Sequence, residues 1–233
     1  HLQKDRLFAA LEGTLGTQLI SLGLEYSSGQ GCMFAEPTKC ELRSAFVEGQ
    51  GFGPWHLAAD GVVYGIRQPS EAQAKSGAIL RFPLNDSRID GALCPAEHCH
   101  LVTGGLEAIT DLIVSHGVLV WAMPGKGIYA RGLQPEARPR LVMPLDSNQF
   151  QPNLYSHGRD IFVITDGVWR WTPWLDHPPQ LFMTDATINA VTWGLGFMAW
   201  VHRDSRGDNA IGVVHQEGVR QCKSPVASLP VEA

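Results

Sequence analysis

The sequence predicts an all-β protein, a single-domain β-propeller over residues 1–233 with five four-stranded blades. Three observations predict this fold. Short strand-like segments recur in the same order along the chain, 25 glycines and 15 prolines separate them, and amphipathic helical periodicity is nearly absent, apart from a weak pattern around residues 106–116. The alternative fold is a β-sandwich whose segments resemble one another by accident.

The third strand of each predicted blade is its most regular segment. Two apolar residues are followed by two variable residues, then by Gly or Pro, and then by Leu. The copies read LISLGL (19–24), ILRFPL (79–84), IYARGL (128–133), VWRWTPW (168–174, with one inserted residue) and, more weakly, IGVVHQ (211–216).

Short β-branched or aromatic runs flank each copy on both sides, as expected for strands joined by turns. The second strands read LFAAL (7–11), VVYGI (62–66), VLVWA (118–122), IFVI (161–164) and FMAWV (197–201). The fourth strands read LRSAFV (42–47), LVT (101–103), LVM (141–143) and LFM (181–183). We expect Trp121 and Trp200, which both lie in second strands, to pack in the core between blades.

The first strand of each blade leads into a glycine turn. The segments read WHLAADG (55–61), DLIVSHG (111–117), PNLYSHG (152–158) and INAVTWG (188–194), with glycines at intervals of 56, 41 and 36 residues. A four-stranded unit that repeats about every 40–45 residues is typical of a propeller blade. We interpret Ser115-His116-Gly117 and Ser156-His157-Gly158 as the same turn position in adjacent blades, rather than as nucleophile–base pairs of a hydrolase.

The two ends of the chain predict how the ring closes. Only HLQKDR (1–6) precedes LFAAL, so the first copy begins at its second strand. The C-terminal SLPVEA (228–233) resembles HLAADG (56–61), and we expect it to complete the first blade and remove two exposed sheet edges. The alternative is that the chain is a piece of a longer propeller, and its start at His1 indicates a trimmed, processed or renumbered sequence.

Charge and hydropathy argue against several classes of partner. The net charge is −5 and no basic stripe occurs, which argues against nucleic acid and against electrostatic docking to anionic membranes. The longest apolar runs, such as LIVSHGVLVWAM (112–123), are short and interrupted, so no transmembrane segment is expected. We expect no cofactor.

The stretch CPAEHCH (94–100) admits three interpretations: a haem attachment site, a zinc site or a disulfide. His100 precedes LVT as Arg140 precedes LVM, which makes it a strand-start residue rather than an iron ligand. A zinc site here is crowded, because zinc sites normally draw ligands from two separate segments. We therefore predict no metal and two local disulfides, with Cys222 left over. The predicted pairs are Cys32 with Cys40 and Cys94 with Cys99.

Over residues 52–133, the segments LAADG-VVY (57–64), GAILRFPL (77–84), C-x4-C (94–99) and LVTGG (101–105) form one recurring blade pattern. This pattern resembles the secreted or lipid-anchored β-propeller repeat proteins of bacteria, myxobacteria especially. The resemblance implies the architecture and an extracytoplasmic location, and it carries over no catalytic residue.

The entries to the first strands are the predicted functional site, because propellers bind ligands where these strands line the central channel. We predict an extracytoplasmic, non-catalytic binding or scaffold module that recognises a protein or a glycan. An alternative is a glycan hydrolase or lyase that uses Glu107, Asp111 and Asp185, since glycosidases work with paired carboxylates. A third interpretation is a subunit of a larger assembly. The predicted ligand-binding residues are Trp55, His56, Asp111, Gln151, Asn153 and Asn189.

Overall fold

The fold is given by a computed structural model of the chain. It describes residues 2–3, 6–23, 42–48, 52–58, 62–69, 77–84, 87–90, 100–145, 152–173, 175, 177–184, 188–194, 197–203 and 209–215. Within these ranges the chain forms twenty strands and no helix, and so no helix there could cross a membrane.

The strands form five sheets that follow one another along the chain. The first sheet contains β1 (Leu2–Gln3), β2 (Arg6–Gly13), β3 (Gly16–Gly23), β4 (Leu42–Glu48) and β8 (Ser87–Asp90). The second contains β5 (Phe52–Leu57), β6 (Val62–Arg67), β7 (Gly77–Pro83) and β9 (His100–Leu106).

The last three sheets follow the same antiparallel order of neighbours. The third contains β10 (Asp111–Ser115), β11 (Val118–Met123), β12 (Gly127–Gly132) and β13 (Arg140–Pro144). The fourth contains β14 (Asn153–His157), β15 (Asp160–Ile164), β16 (Gly167–Trp171) and β17 (Gln180–Thr184). The fifth contains β18 (Ile188–Gly194), β19 (Phe197–Arg203) and β20 (Asn209–His215).

The predicted order of four strands is confirmed in the second, third and fourth sheets. The first strands of these sheets are neighbours in space, since β10 contacts both β5 and β14. This places one strand of each sheet on a common inner side, an arrangement typical of β-propeller blades. The strands of the first and fifth sheets do not pair with each other within the described residues, and the predicted closing strand at 228–233 lies outside them.

The first sheet differs from the prediction at both edges. At its inner edge, β1 pairs with the start of β2 through Leu2↔Leu7 and Gln3↔Arg6, and no described strand pairs with this edge of β2 beyond these residues. At its outer edge, β8 pairs in parallel with β4. This strand comes from the connection between β7 and β9, and it covers backbone groups of β4 that would otherwise form an open edge.

Apolar side chains fill the space between successive sheets. Four buried clusters lie between the first and second, second and third, third and fourth, and fourth and fifth sheets. Strands β6 and β11 are buried on both faces, which explains their continuous apolar sequences. Trp121 is fully buried, as predicted, and Trp200 is half-buried against the last cluster.

The turns between first and second strands show a difference of one residue in register. In the β10–β11 hairpin the two turn residues are His116 and Gly117, which both have positive φ (49° and 77°). In the β14–β15 hairpin they are Gly158 and Arg159, because His157 pairs with Asp160. The two Ser-His-Gly segments therefore both lie at turns, but their glycines do not occupy the same turn position as the sequence alignment predicts.

Candidate binding surfaces

Adjacent inner strands are linked by side chains that bond to backbone groups. His56 of β5 is buried, and its Nε2 donates to the carbonyl oxygen of Val114 in β10 at 3.1 Å. Burial lowers the pKa of His56 to about 4, although the bond to Val114 opposes this shift, so the imidazole is neutral at pH 7. One nitrogen of this predicted ligand-binding residue is thus committed to the neighbouring sheet.

Asp111 of β10 makes the next link. Its Oδ1 accepts from the backbone N–H of Leu112 at 2.7 Å, and its Oδ2 accepts from that of Leu154 in β14 at 2.6 Å. Burial raises the pKa of Asp111 to about 6, and these two bonds only partly offset the effect. Burial, together with the nearby charge of Asp111, raises the pKa of Tyr155, whose hydroxyl bonds to the backbone of Val191 in β18.

Gln68, which follows β6, joins two segments that enter the inner strands. Its side-chain amide donates to the carbonyl oxygens of Gly53 at 2.9 Å and of Ile109 at 2.7 Å, and its oxygen accepts from the N–H of Ile109 at 3.3 Å. The residue lies at the start of RQPSEAQAKSG, which reads as a polar insertion. Its role was therefore missed from the sequence.

An open groove of about 530 Å³ lies between β2 and the start of β5. The Trp55 ring stacks on Phe52 with centroids 6.2 Å apart and meets Phe82 edge-on at 6.0 Å. The indole nitrogen of Trp55 is buried and has no hydrogen-bond partner within the described residues. The groove is lined by Phe8, Ala9, Ala10, Glu12, Phe52, Gly53, Pro54 and Trp55.

A smaller cavity of about 130 Å³ opens at the boundary of the third and fourth sheets. Two exposed arginines line it, Arg138 in the β12–β13 loop and Arg140 at the start of β13. The guanidinium of Arg140 lies over the Trp171 ring, 5.6 Å from its centroid. The other lining residues are Val118, Ala130, Arg131, Gly132 and Pro173, and none of the seven is acidic.

A third cavity, of about 230 Å³, lies beside the β14–β15 turn. Two of its charged side chains are paired with each other, because Arg170 forms an ion pair with Asp160 at 2.6 Å. Asp160 also accepts a hydrogen bond from the Thr172 hydroxyl. Arg159 and His157 complete its polar lining.

The remaining predicted site residues are dispersed. Glu107 forms a partly exposed ion pair with Lys126 at 3.4 Å, and Asn153 is exposed at the start of β14. Asn189 lies in β18, but its side chain is outside the description, as are Gln151 and Asp185. The structure therefore brings His56 and Asp111 onto the adjacent strands β5 and β10.

The predicted disulfides fall on Cys32, Cys40, Cys94 and Cys99, which all lie outside the described residues, as does Cys222. Among the residues that the structure describes, no group of three His, Cys, Asp or Glu side chains is placed to hold a metal ion. His100 begins the outer strand β9 and is exposed, as its register predicts.

Comparisons with known proteins give a likeness of fold. No protein-family model and no curated protein matches the sequence. The chain is similar to a computationally designed protein, Ika8, at 11% identity and a TM-score of 0.52; the match covers 96% of this chain and 64% of Ika8. Less similar are the WD40 β-propeller domain of Doa1 (9% identity, TM-score 0.48, 92% of this chain and 70% of that chain) and a chain in a nidogen/laminin complex (12%, 0.40, 91% and 89%).

This chain thus spans less than two thirds of the designed protein's length. At 11% identity the likeness to Ika8 shows a shared fold and carries no residue role from that protein to this one.

Proposed function

We propose that the chain is a non-catalytic, protein-binding β-propeller module. Its partner lies on the surface formed by Arg138, Arg140, Pro173 and Leu175, which we call the arginine face. The observation that carries this proposal is the cavity between Arg138 and Arg140. None of its seven described lining residues is acidic, and it adjoins the loop that holds Leu175, which is 52% exposed. Arginine side chains beside apolar surface are typical of protein-binding sites.

The residues at the entries to the first strands, which form the mouth opposite the arginine face, support a binding role rather than hydrolysis. The carboxylate of Asp111 accepts from two backbone N–H groups, and that of Glu107 is paired with Lys126. A general acid or nucleophile must reach the substrate. Asp111 is engaged between two adjacent sheets, and Glu107 is engaged in a surface ion pair. The prediction that Trp55, His56 and Asn153 contact a ligand at this mouth stays open to test.

The proposal includes a five-bladed ring that is closed by residues 228–233. Three observations from the described residues support it. The fifth sheet has three strands, no strand pairs with the inner edge of β2 beyond Leu7, and the Trp55 indole nitrogen beside this edge has no acceptor. A strand in the groove would supply backbone partners for the inner edge of β2 and a carbonyl acceptor for the Trp55 indole. Truncation after residue 227 should lower the urea midpoint of unfolding, and an unchanged midpoint would argue against closure by this segment.

The proposal also places the protein outside the cytoplasm, because two local cysteine pairs suit an oxidising compartment. Counting free thiols under denaturing conditions tests this part. One thiol is expected, and five would refute it.

The binding proposal is tested with a purified, identified partner protein, and not only by isolating proteins that the chain retains. Proteins retained from the source organism by the wild-type chain are identified, expressed separately and titrated against the purified chain. Leu175→Asp should abolish the interaction, whereas Asn153→Ala, at the opposite mouth, should leave it unchanged. The reverse pattern would move the binding site to the mouth, and specific binding on a glycan array without any protein partner would replace the proposal with glycan recognition.

A further inference from the structure

Arg131 breaks the repeat at a buried position. Its partner across the hairpin is Leu119, and the equivalent pairs in the neighbouring sheets are Val63 with Phe82 and Ile161 with Trp171. Phe82 and Trp171 are buried aromatic residues, so the third sheet places a guanidinium where the second and fourth sheets place an aromatic ring. Burying a cation in place of an apolar ring is costly unless the charge is well hydrogen-bonded.

The N–H groups of Arg131 donate hydrogen bonds to backbone carbonyl oxygens. Its Nε donates to Gly132, one terminal nitrogen donates to Val102 in β9, and the other donates to Gln134 at 3.0 Å and Pro135 at 3.4 Å. No carboxylate contacts it in the part of the chain that the structure describes. Two of these four bonds go to the β12–β13 loop and a third goes to Gly132 at the end of β12, so Arg131 fixes the start of this loop.

The loop that Arg131 fixes carries Arg138 and leads directly into Arg140 at the start of β13. Further bonds run from the N–H of Leu133 to Gly117 at 3.0 Å and from that of Ala137 to Gln134 at 3.1 Å. Pro139 separates Arg138 from Arg140 and restricts the backbone between them. The Trp171 ring beneath Arg140 restrains its guanidinium. The guanidinium of Arg140 and the backbone that carries Arg138 are therefore held in place before any ligand binds, which lowers the entropic cost of binding.

We infer that this cavity binds one oxyanion group of an acidic protein segment, either a Glu or Asp side chain or a phosphorylated Ser or Thr. The inference rests on the proposed protein-binding function and names the chemistry of the partner. A cavity of about 130 Å³ has room for about four water molecules, which fits a carboxylate or phosphate group but not a whole ligand. Planar guanidinium groups match the paired oxygens of both.

Arg138 and Arg140 are the binding residues, and Arg131 is a positioning residue. The chain as a whole is acidic, with a net charge of −5, so attraction to an acidic segment must come from this local cluster. Glu136 belongs to the same loop but does not line the cavity, which makes it a suitable control.

The test titrates ¹⁵N-labelled chain with four probes: a Glu-rich peptide, its phosphoserine counterpart, a Gln-matched neutral peptide and inorganic phosphate. The reporters are the arginine Nε–H signals and the Trp171 indole signal, which detect millimolar binding. We expect one or both acidic peptides to shift these signals, with the stronger of the two identifying the oxyanion, and the neutral peptide to leave them unchanged. Equal response to the neutral peptide, or no response to either acidic one, refutes the inference. Inorganic phosphate binding as tightly as the phosphopeptide would show a small-ion site instead of a site for a protein segment.

Variants assign the roles. Arg138→Gln and Arg140→Gln should each weaken binding of the acidic peptide about 5-fold, the range of partly exposed ion pairs, whereas Glu136→Gln and Arg159→Ala should change it by less than about 2-fold. A loss in Arg159→Ala equal to those of the two cavity variants, together with stronger binding in Glu136→Gln, would indicate a diffuse charge effect and refute the site.

Arg131→Leu should fold, because the neighbouring sheets are apolar at this position. The Arg131→Leu variant should bind the acidic peptide more weakly. Hydrogen exchange at the Ala137 amide, which lies in the loop that Arg131 fixes, should be faster than in the wild type. Arg131→Lys should restore only part of both, because an ammonium lacks the planar set of donors. Unchanged binding and exchange in Arg131→Leu would refute the positioning role. If the identified protein partner binds wild type and Arg138→Gln/Arg140→Gln equally, the cavity inference fails while the binding function stands.

Discussion

Removing the charge of Asp111 should change how the stability of the protein depends on pH. Burial raises the pKa of this carboxyl from 3.8 to about 6, despite the two backbone N–H groups that donate to it. Between these values the folded protein retains a proton that the unfolded chain has released. The stabilisation from this group is therefore fully present below about pH 4 and is lost as the pH rises through about 6.

The size of the effect follows from the two pKa values. Their difference, about 6 minus 3.8, corresponds to about 3 kcal/mol, and partial exposure of the carboxylate reduces this to about 2 kcal/mol. Asp111→Asn cannot ionise, so its free energy of unfolding should lack this pH-dependent loss. The variant also gives up one hydrogen-bond acceptor toward Leu112 or Leu154, which lowers its stability by about 1 kcal/mol at every pH.

Urea unfolding of both proteins at intervals from pH 4 to pH 7 measures the difference. Between these limits the free energy of unfolding of the wild type should fall by about 2 kcal/mol more than that of Asp111→Asn. Glu136→Gln, which removes an exposed carboxylate from the β12–β13 loop, controls for the loss of one negative charge. Parallel curves for wild type and Asp111→Asn would refute the reasoning that burial of Asp111 controls this pH range.

Three further changes test the fold. Gly65→Ala should destabilise the protein by about 2–3 kcal/mol in urea unfolding, because its Cβ would lie 2.0 Å from the Trp55 ring, and a loss below about 0.5 kcal/mol would show that the ring moves freely. Gln68→Ala should cost about 1–3 kcal/mol, since it leaves the backbone groups of Ile109 without their partner, and an unchanged midpoint would argue against this link. Alkylation of the native chain followed by mass spectrometry should find no modified cysteine other than Cys222, and modification at any other cysteine would contradict the predicted disulfides.

The strand pattern could be predicted from the sequence because it depends on local periodicity. Runs such as VLVWA and IYARGL carry their own β-propensity and their own turn signals, and they appear as β11 and β12. The pairing of β8 with β4 could not be predicted, since it joins residues more than 40 positions apart through a short segment, SRID, without a hydrophobic pattern. The register at the turns could not be predicted either, because a glycine can occupy either position of a two-residue turn.

The candidate sites depend on side chains that meet across sheets, and sequence spacing does not reveal such contacts. Asp111 and His56 read as ligand groups because they are polar residues near a predicted mouth, but each bonds to the backbone of the next sheet. The position of Arg131 could have been noticed in the sequence, because the aligned third strands of the neighbouring sheets have the aromatic residues Phe82 and Trp171 there. A charged residue at a repeat position that the other copies fill with an apolar residue indicates the blade that has acquired a separate role.

The links between inner strands run in one direction along the chain. His56 bonds to the sheet that follows it, Asp111 bonds to the next, and Tyr155 to the one after that. The second, third and fourth sheets thus each carry a side chain that bonds to the backbone of the next sheet, and the identity of that residue differs at these three boundaries. Gene duplication of one blade, or an exchange of two blades, would bring unmatched groups together at the new boundaries. The order of these sheets is therefore fixed by their inner side chains, although their backbones are nearly interchangeable.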